Sequence, residues 1–572
     1  MSINEDKWQY STYSKINPKV KNYFPFPNPR KGQLEIISEI DEAISKGYKF
    51  IILEAGTGTG KSAIAATLAL MAKDAYILTV TKQLQDQYLD DFERFNFKLI
   101  KGKANYPCIA LKEKGVEKNC DEGQCEMVSF KCKYRRDIGD LADCLNNECC
   151  PYRLDKAVAM DSNVVISNYA YAFLEFNNVK DFKKRELMIC DEAHNLEDSI
   201  MGLVSLEFNR TDLKNEIDFD LTDDEIYQLE TGDYFSWITF IEKIQAKYIE
   251  KRDEYEKLVL VKPYIKPVLN TIKNRISDMG RFMASFEENP ENWIFDWDEY
   301  TESVQFKPLK VDEYARNLLF SNCDICLLMS ATILDWEKFA EYLGIDPSEI
   351  YPIRQESPFD NSRNPIRSYE NYDLSYKKIK DNAPLTLPII RDILDEHAGD
   401  KGIIHTVSYK CKEFLMDELN NSRLIDHETE NRSEILGEFE QSPEPLVLIS
   451  PSMNEGVDLP DDKCRFQIIY KIPYPNYADR LTMIRANLDQ SWYKYKACVS
   501  LIQTYGRGMR SENDYCKTYF IDNRLKEFIE EDSKTYGFIP ESFKKAIDFE
   551  LEKDDESDDL GDDFGFVTAN KL

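Results

Sequence analysis

One short segment of the chain has the residue types that hold a phosphate chain. Residues 55–62, Ala-Gly-Thr-Gly-Thr-Gly-Lys-Ser, follow the pattern G-x-x-x-x-G-K-[ST] with alanine at its first position, between a predicted strand and a predicted helix. Its glycines let backbone N–H groups close around phosphate oxygens at the positive end of that helix. Lys61 is placed to contact the β- and γ-phosphates, and the Ser62 hydroxyl to bind Mg²⁺. The predicted phosphate-binding residues are Gly56, Thr57, Gly58, Thr59, Gly60, Lys61 and Ser62.

Two adjacent acids lie at the end of a short apolar run. Residues 189–194 read Ile-Cys-Asp-Glu-Ala-His. Asp191 is suited to holding Mg²⁺ through water, and Glu192 to orienting an attacking water and taking its proton. Adjacent acids alone usually mark a solvated turn. Because these acids follow a phosphate-binding loop, they predict the hydrolytic part of the same nucleotide site.

Two later blocks complete a set. Ser330-Ala331-Thr332 directly follows an apolar run, and residues 503–510 read Gln-Thr-Tyr-Gly-Arg-Gly-Met-Arg. An arginine supplied across a domain cleft stabilises charge on a transferring phosphoryl group, with rate effects of about 10³–10⁵. We therefore expect catalytic roles for Gln503, Arg507 and Arg510. Taken alone, this block also fits a surface helix whose arginines form salt bridges.

Seven of the fourteen cysteines lie between residues 108 and 150. In a long chain without a secretion signal, such a cluster indicates a metal or redox site rather than disulfides. Four thiolates suit either an iron–sulfur cluster or zinc, so both stay open. The clustered cysteines are Cys108, Cys120, Cys125, Cys132, Cys144, Cys149 and Cys150.

The elements that must position these residues alternate between strand and helix. Strand-like runs at 49–54 and 76–80 are each followed by a helix-like segment, and the same rhythm resumes from about 385 to 545. This alternation predicts parallel α/β sheets. Residues of about 200–300 have helical periodicity and look inserted.

The chain has 572 residues, with 73 Lys and Arg against 104 Asp and Glu, a net charge of −31. Such a charge disfavours tight nonspecific coating of nucleic acid, although a groove needs only a local basic lining. Residues 546–572 are acidic and predict a disordered tail. Because no apolar run is long enough for a membrane span and residues 1–9 lack a signal pattern, we expect a cytoplasmic protein in a reducing compartment without a membrane partner.

The ordered blocks resemble those of the superfamily 2 helicases, and the cysteine-rich insertion resembles the iron–sulfur type typified by DinG and XPD. The resemblance implies two RecA-like P-loop α/β domains, with an inserted Fe–S domain and a helical arch. The implied boundaries are 1–100, 151–197 and 301–334 for the first helicase domain, 101–150 for the Fe–S domain, 198–300 for the arch, 335–545 for the second helicase domain and 546–572 for the tail.

The resemblance also implies individual roles. Cys108 and Cys150 would be the first and last ligands of a 4Fe–4S cluster, with Cys125 and Cys132 our choice between them and Cys120 and Cys144 as rivals. The clustered cysteines include no C-x-x-C pair, unlike those of some family members. By the same resemblance, Arg30 and Gln33 would recognise the nucleotide. The residues that would couple nucleotide binding to DNA are Thr81, His194, Ser330, Thr332, Glu455, Gly456 and Asp458.

The implied activity is an ATP-dependent DNA helicase that moves 5′→3′ on single-stranded DNA, with ATP, Mg²⁺ and the cluster as cofactors. Its expected partners are single-stranded DNA and DNA junctions, and we expect a monomer. One alternative is an ATP-driven translocase or remodeller acting on protein-bound DNA, R-loops or D-loops. Another is a zinc-stapled nucleic-acid-binding protein that ATP switches. Outside the motifs, we expect His405 to line the interdomain cleft and His397 and His427 to lie on the surface.

Overall fold

The structure is a computed structural model that describes residues 7–10, 15–123, 125, 132–259, 261–262, 265–299, 301–428, 431–451, 459–509 and 514–549. The strands are β1 (Gln9–Tyr10), β2 (Phe50–Ala55), β3 (Ala75–Thr79), β4 (Phe97–Leu99), β5 (Val164–Asn168), β6 (Arg185–Asp191), β7 (Leu206–Asn209), β8 (Trp293–Asp298), β9 (Ser303–Pro308), β10 (Cys323–Ser330), β11 (Ile350–Gln355), β12 (Ile366–Tyr372), β13 (Gly402–His405), β14 (Leu424–Asp426), β15 (Val447–Ser450), β16 (Phe466–Ile469), β17 (Lys517–Asp522) and β18 (Ile547–Phe549).

The α-helices are α1 (Pro18–Tyr23), α2 (Gln33–Ser45), α3 (Lys61–Met71), α4 (Lys82–Phe92), α5 (Ile109–Lys112), α6 (Leu141–Asn146), α7 (Pro151–Asp161), α8 (Tyr169–Leu174), α9 (Leu196–Val204), α10 (Arg210–Ile217), α11 (Asp223–Thr231), α12 (Tyr234–Leu258), α13 (Lys266–Glu288), α14 (Asp312–Tyr314), α15 (Trp336–Tyr342), α16 (Ile379–Glu396), α17 (Tyr409–Leu419), α18 (Arg432–Gln441), α19 (Arg480–Leu488), α20 (Gln490–Tyr505), α21 (Leu525–Thr535) and α22 (Glu541–Lys545). None of the described helices is long and apolar enough to cross a bilayer.

The first domain is built on an eight-stranded sheet in the order β1-β11-β2-β10-β6-β3-β5-β4, with every pairing parallel. Strands such as β2 and β3 are buried along their whole length, because apolar cores cover both faces of the sheet. The second domain has a seven-stranded sheet in the order β14-β15-β13-β16-β17-β12-β18, also parallel. The predicted fold class, two parallel α/β domains, is confirmed.

Two predicted boundaries of the second domain differ from the strand pairing. β11 lies beyond the predicted boundary at 334, yet it pairs with β2 in the first sheet. The second sheet therefore begins at β12. At the other end, β18 pairs with β12, so the sheet reaches past the predicted boundary at 545. The rest of the predicted tail, 550–572, lies outside the described residues.

The insertion that follows α9 has a core of its own. Helices α12 and α13 pack together and cover an antiparallel sheet in the order β7-β9-β8, with aromatic side chains between the layers. β9 pairs with both β7 and β8. The boundary predicted at 300 therefore falls inside this sheet, between β8 and β9, and the insertion mixes helices with strands.

The cysteine-rich segment, residues 101–150, packs between α13 and the first domain. Lys266 on α13 is buried and donates a hydrogen bond to the Gly123 carbonyl oxygen at 2.7 Å. On the other side, α7 begins directly after the segment, and its buried Lys156 pairs with the buried Glu175 at 2.7 Å. The first contact joins the segment to α13, and the second fixes α7, the helix that follows the segment.

Candidate functional site

The strand order brings three of the predicted blocks to one edge of the first sheet. β10 lies between β2 and β6, and the register pairs Ser330 with Glu54 and Met329 with Asp191. Because neighbouring parallel strands end at the same sheet edge, the phosphate-binding loop, the acidic pair and the Ser-Ala-Thr block lie side by side.

The phosphate-binding loop leaves β2 and enters α3, whose first two residues are Lys61 and Ser62. Gly58 and Gly60 have positive φ, at 88° and 78°. A β-carbon at Gly58 would lie 2.3 Å from the Phe359 ring. These positions require glycine because both the backbone conformation and the space exclude a side chain. The loop therefore presents backbone N–H groups at the start of a helix, as phosphate binding requires.

Arg30 and Gln33, predicted to recognise the nucleotide, contact this loop from outside. The Arg30 guanidinium donates to the Gly58 carbonyl oxygen at 2.6 Å, and the Gln33 amide donates to the Thr59 carbonyl oxygen at 2.9 Å. The two residues are also joined, because the Arg30 backbone N–H donates to Gln33 Oε1 at 2.6 Å. Arg30 lines the nucleotide cavity, whereas Gln33 is buried behind the loop.

The acidic pair divides into a buried and an accessible carboxylate. Asp191 is 2% exposed; its Oδ1 accepts from the Glu192 N–H at 2.9 Å and its Oδ2 from the Tyr88 hydroxyl at 2.8 Å. Burial, with the nearby Glu192 charge, raises the pKa of Asp191 to about 6. Glu192 has φ 52° and lines the cavity. This arrangement suits Asp191 to a cation and Glu192 to a water.

His194, two residues after the acidic pair, is hydrogen-bonded to the Ser-Ala-Thr block. His194 Nδ1 lies 2.7 Å from Ser330 Oγ, which also accepts from the Thr332 N–H at 3.1 Å. Burial lowers the pKa of His194 to about 4, so the ring is neutral at pH 7. The contact between His194 and Ser330 therefore carries no net charge.

Glu54, at the end of β2, was missed by the sequence analysis. Its Oε2 accepts from the Ile333 N–H at 2.7 Å and from the Leu334 N–H, and its Oε1 pairs with Arg354 at 2.7 Å. The sequence signal that could have identified Glu54 is a charged residue near the end of the otherwise apolar strand β2. Glu54 ties the segment after the Ser-Ala-Thr block to the strand that carries the phosphate-binding loop.

The second domain contributes to the same cavity. Gln503 at the end of α20 and Arg507 just after it line the cavity that holds the phosphate-binding loop and the acidic pair. Gln503 is buried, and its Nε2 has no hydrogen-bond partner among the described residues. Arg507 is close enough to contribute to the lowered pKa of His194. Arg510 lies outside the described residues.

The remaining histidines only partly match the predictions. His405 lies at the end of β13 in the cleft between the domains, where burial, with the Arg507 charge, lowers its pKa to about 3. The surface position predicted for His427 is wrong, since it is 2% exposed and its Nε2 lies 2.8 Å from Ser450 Oγ. His397 is also largely buried and stacks on Phe466.

Buried ion pairs, also missed by the sequence analysis, join the domains next to this site. Glu197 on α9 contacts Arg485 on α19 at 2.5 Å and Lys496 on α20 at 3.2 Å. Although burial raises the pKa of Glu197, the Lys496 and Arg485 charges bring it below its ordinary value. All three side chains are less than one-fifth exposed, so the pairs are screened little by solvent.

The predicted DNA-coupling residues fall in three places. Thr81 is exposed and caps α4 by accepting from the Leu84 N–H at 3.2 Å. His194, Ser330 and Thr332 lie between the acidic pair and the second domain. The others, Glu455, Gly456 and Asp458, lie outside the described residues.

Five of the clustered cysteines line one cavity. Backbone pairing brings the first two together, because the Cys108 N–H donates to Lys118 and the Cys120 N–H donates to Tyr106, each at 2.8 Å. The Sγ atoms of Cys120 and Cys150 are 3.5 Å apart, and this contact lowers the pKa of Cys150 to about 6. The thiols that line the cavity are Cys108, Cys120, Cys125, Cys132 and Cys150.

The other two clustered cysteines lie elsewhere. Cys144 packs with Cys149 and Ala157 in a separate apolar cluster, and its Sγ donates to the Asp137 carbonyl oxygen. Cys144 is thus not brought to the cavity, whereas its rival Cys120 is. Within the described ranges, no three histidine, cysteine, aspartate or glutamate side chains form a ready-made metal site. A low pKa for Cys150 nonetheless favours the thiolate that a metal requires.

Replacing Gly58 by alanine is expected to abolish nucleotide binding, because the new β-carbon would meet Phe359 and the positive φ would be strained. The binding of a fluorescent ATP analogue checks this, with the melting temperature recorded alongside. Gly399→Ala is the matched control, since a β-carbon there meets nothing within 4 Å. Normal binding by a folded Gly58→Ala variant would contradict the assignment of the loop.

Comparisons with known proteins agree with this geometry. Residues 26–222 match the family model described as the type III restriction enzyme res subunit, and residues 390–536 match the helicase C-terminal domain. A probable ATP-dependent helicase of Methanocaldococcus jannaschii is 22% identical over 92% of this chain and 96% of its own length. The ATP-dependent DNA helicase YoaA of Escherichia coli is 24% identical over 87% of this chain and 92% of its own.

Solved structures show the same fold. An XPD helicase superposes with a TM-score of 0.63 and 16% identity, covering 92% of this chain and all of that one. The four sequence blocks also occur in the order typical of the family. The chain belongs to the superfamily 2 helicases of the DinG/XPD type.

Proposed function

We propose that this chain is an ATP-dependent DNA helicase that moves 5′→3′ along single-stranded DNA and separates duplexes. The observation that carries the proposal is the cavity in which Lys61, Glu192 and Arg507 meet, because these residues come from two different domains. A nucleotide bound there joins the domains, and its hydrolysis releases them. Relatives named ATP-dependent DNA helicases support DNA as the substrate.

The proposed chemistry assigns one task to each group. Lys61 and the backbone N–H groups of residues 56–60 bind the phosphates. Ser62 and Asp191 fit Mg²⁺, because both present oxygen atoms to the same cavity. When bound, Mg²⁺ neutralises charge on the β- and γ-phosphates. Glu192 takes the proton of the attacking water.

Arg507 of the second domain stabilises the charge that develops on the γ-phosphoryl group, and Gln503 orients the water or the phosphate beside it. These groups act only when the cleft is closed around the nucleotide. His194 and Ser330 transmit the closure between the domains, since their hydrogen bond joins the segment that follows the acidic pair to the Ser-Ala-Thr block. The resulting domain movement advances the protein along one strand.

The strand path begins at exposed Thr81, whose position at the start of α4 leaves its side chain accessible to a phosphate. We also assign strand contacts to Glu455, Gly456 and Asp458, as the family pattern implies. The protein acts as a cytoplasmic monomer on single-stranded DNA and DNA junctions.

The thiol-lined cavity fits a group held by four thiolates, a 4Fe–4S cluster or, as the alternative, zinc. Of the two middle ligands chosen from the sequence, we replace Cys132 by Cys120. The Sγ of Cys120 lies 3.5 Å from that of Cys150, and backbone pairing holds Cys120 beside Cys108. The proposed ligands are therefore Cys108, Cys120, Cys125 and Cys150. Bound there, the group would cross-link the cysteine-rich segment, residues 101–150. We propose that this segment acts as a wedge that separates the two DNA strands.

Duplexes with a 5′ or a 3′ single-stranded tail test the proposed activity. With ATP and Mg²⁺, the anaerobically purified protein is expected to displace a strand only from the 5′-tailed duplex. Lys61→Ala is expected to lower ATP turnover at least about 100-fold, because it removes the phosphate-binding cation. Lys73→Ala, an exposed lysine after the same helix, is the control.

Three other outcomes have distinct meanings. Displacement only from the 3′-tailed duplex would contradict the proposed 5′→3′ polarity but would still support helicase activity. No displacement from either tail, with turnover still stimulated by single strands, would favour the translocase. Normal ATP turnover by Lys61→Ala would overturn the nucleotide site itself.

Cysteine variants test the wedge. Cys120→Ser is expected to lose bound iron, measured chemically and by visible absorbance, and to lose strand displacement while keeping ATP turnover on single-stranded DNA. Cys144→Ser is the matched control, because its thiol lies outside the cavity. Retained iron in Cys120→Ser with loss in Cys132→Ser would restore the ligand set chosen from the sequence. Strand displacement by iron-free protein would contradict the wedge, and bound zinc in place of iron would favour the alternative metal.

A further inference from the structure

A buried tyrosine contacts the acidic pair from the side of α4. Tyr88 is fully buried, and its hydroxyl donates to Asp191 Oδ2 at 2.8 Å. The other carboxylate oxygen, Oδ1, accepts from the Glu192 N–H at 2.9 Å. Each oxygen therefore has one fixed donor, and together the two bonds set the plane of the carboxylate.

The contact is specific to the hydroxyl rather than to the ring. The Tyr88 ring packs with the apolar core beneath the first sheet, beside Phe92, where a phenylalanine would fill the same space. A hydroxyl in such a core costs free energy unless it is hydrogen-bonded. Here its partner is the buried Asp191 carboxylate, which lines the nucleotide cavity.

The hydroxyl also lies near the second residue assigned to the cation. Burial raises the pKa of Tyr88 well above its ordinary value, and a neighbouring Ser62 hydroxyl opposes that shift. Tyr88 is therefore a neutral donor located between the start of α3 and the end of β6. No sequence motif marked it, because its role depends on the packing of α4 against the sheet.

We propose that Tyr88 is a positioning residue that orients the Asp191 carboxylate for the divalent cation which accompanies the nucleotide. The proposal rests on the proposed function, since it refines the cation side of that site. Groups that orient a metal's ligands commonly contribute 10- to 100-fold to metal affinity. Without the hydroxyl, the Asp191 carboxylate rotates more freely and binds the cation less well.

The test compares two full-length variants, Tyr88→Phe and Tyr169→Phe. Tyr169 is a matched control, because it is also buried and donates to Asp191, but to the backbone carbonyl oxygen at 2.9 Å. The Mg²⁺ concentration for half-maximal effect is measured in two assays. One is ATP turnover, and the other is the binding of a fluorescent, non-hydrolysable ATP analogue.

Tyr88→Phe is expected to raise the half-saturating Mg²⁺ concentration about tenfold or more in both assays. Nucleotide binding without Mg²⁺ and turnover at saturating Mg²⁺ should stay within about twofold of wild type. Tyr169→Phe should leave the Mg²⁺ dependence unchanged. An unchanged Mg²⁺ dependence in Tyr88→Phe, or an equal shift in both variants, would overturn the proposal.

A double-mutant cycle keeps the test decisive if Tyr88→Phe lowers the melting temperature. In an Asp191→Asn background, Tyr88→Phe should cause no further change in Mg²⁺ dependence of analogue binding, because the carboxylate that it orients is absent. A further tenfold shift there would contradict the proposal. If the wild-type protein bound the analogue with Mg²⁺ but never hydrolysed ATP, the proposed function would fail. The binding assay would still test whether Tyr88 affects the Mg²⁺ dependence of analogue binding.

Discussion

The parallel register of three neighbouring strands is the constraint on which the site depends. β2, β10 and β6 end together, so Lys61, Ser330 and Asp191 meet although about 270 residues separate the first from the second. The hydrogen bonds of Glu54 and His194 then cross-link the strand ends. Because the strands are buried on both faces, a shift of one residue would move apolar side chains out of register with both cores.

The first domain nevertheless holds only part of the site. Arg507, which we propose faces the transferred phosphoryl group, comes from the second domain, and the ion pairs of Glu197 with Arg485 and Lys496 hold the two domains beside it. A site divided in this way links nucleotide chemistry to domain position. Gln503 of the second domain also reaches this cavity, and its buried Nε2 finds no hydrogen-bond partner within the part of the chain that the structure describes.

The sequence predicted what is local and missed what depends on packing. The phosphate-binding loop and the acidic pair could be predicted because each is a continuous block at a strand end. The return of β11 to the first sheet and the burial of His427 could not, since both depend on contacts between distant segments. The middle cysteines illustrate the same limit. Spacing alone left Cys120 and Cys144 equivalent, whereas backbone pairing brings only Cys120 to the cavity.

The central claim is that hydrolysis requires a group from each domain, and Arg507→Ala tests it most directly. ATP turnover on single-stranded DNA and binding of a fluorescent ATP analogue would be measured side by side. In Arg507→Ala, kcat is expected to fall about 10³-fold or more, while the Kd for the analogue is expected to change less than about tenfold. A kcat equal to that of the wild-type protein would contradict a site completed across the cleft.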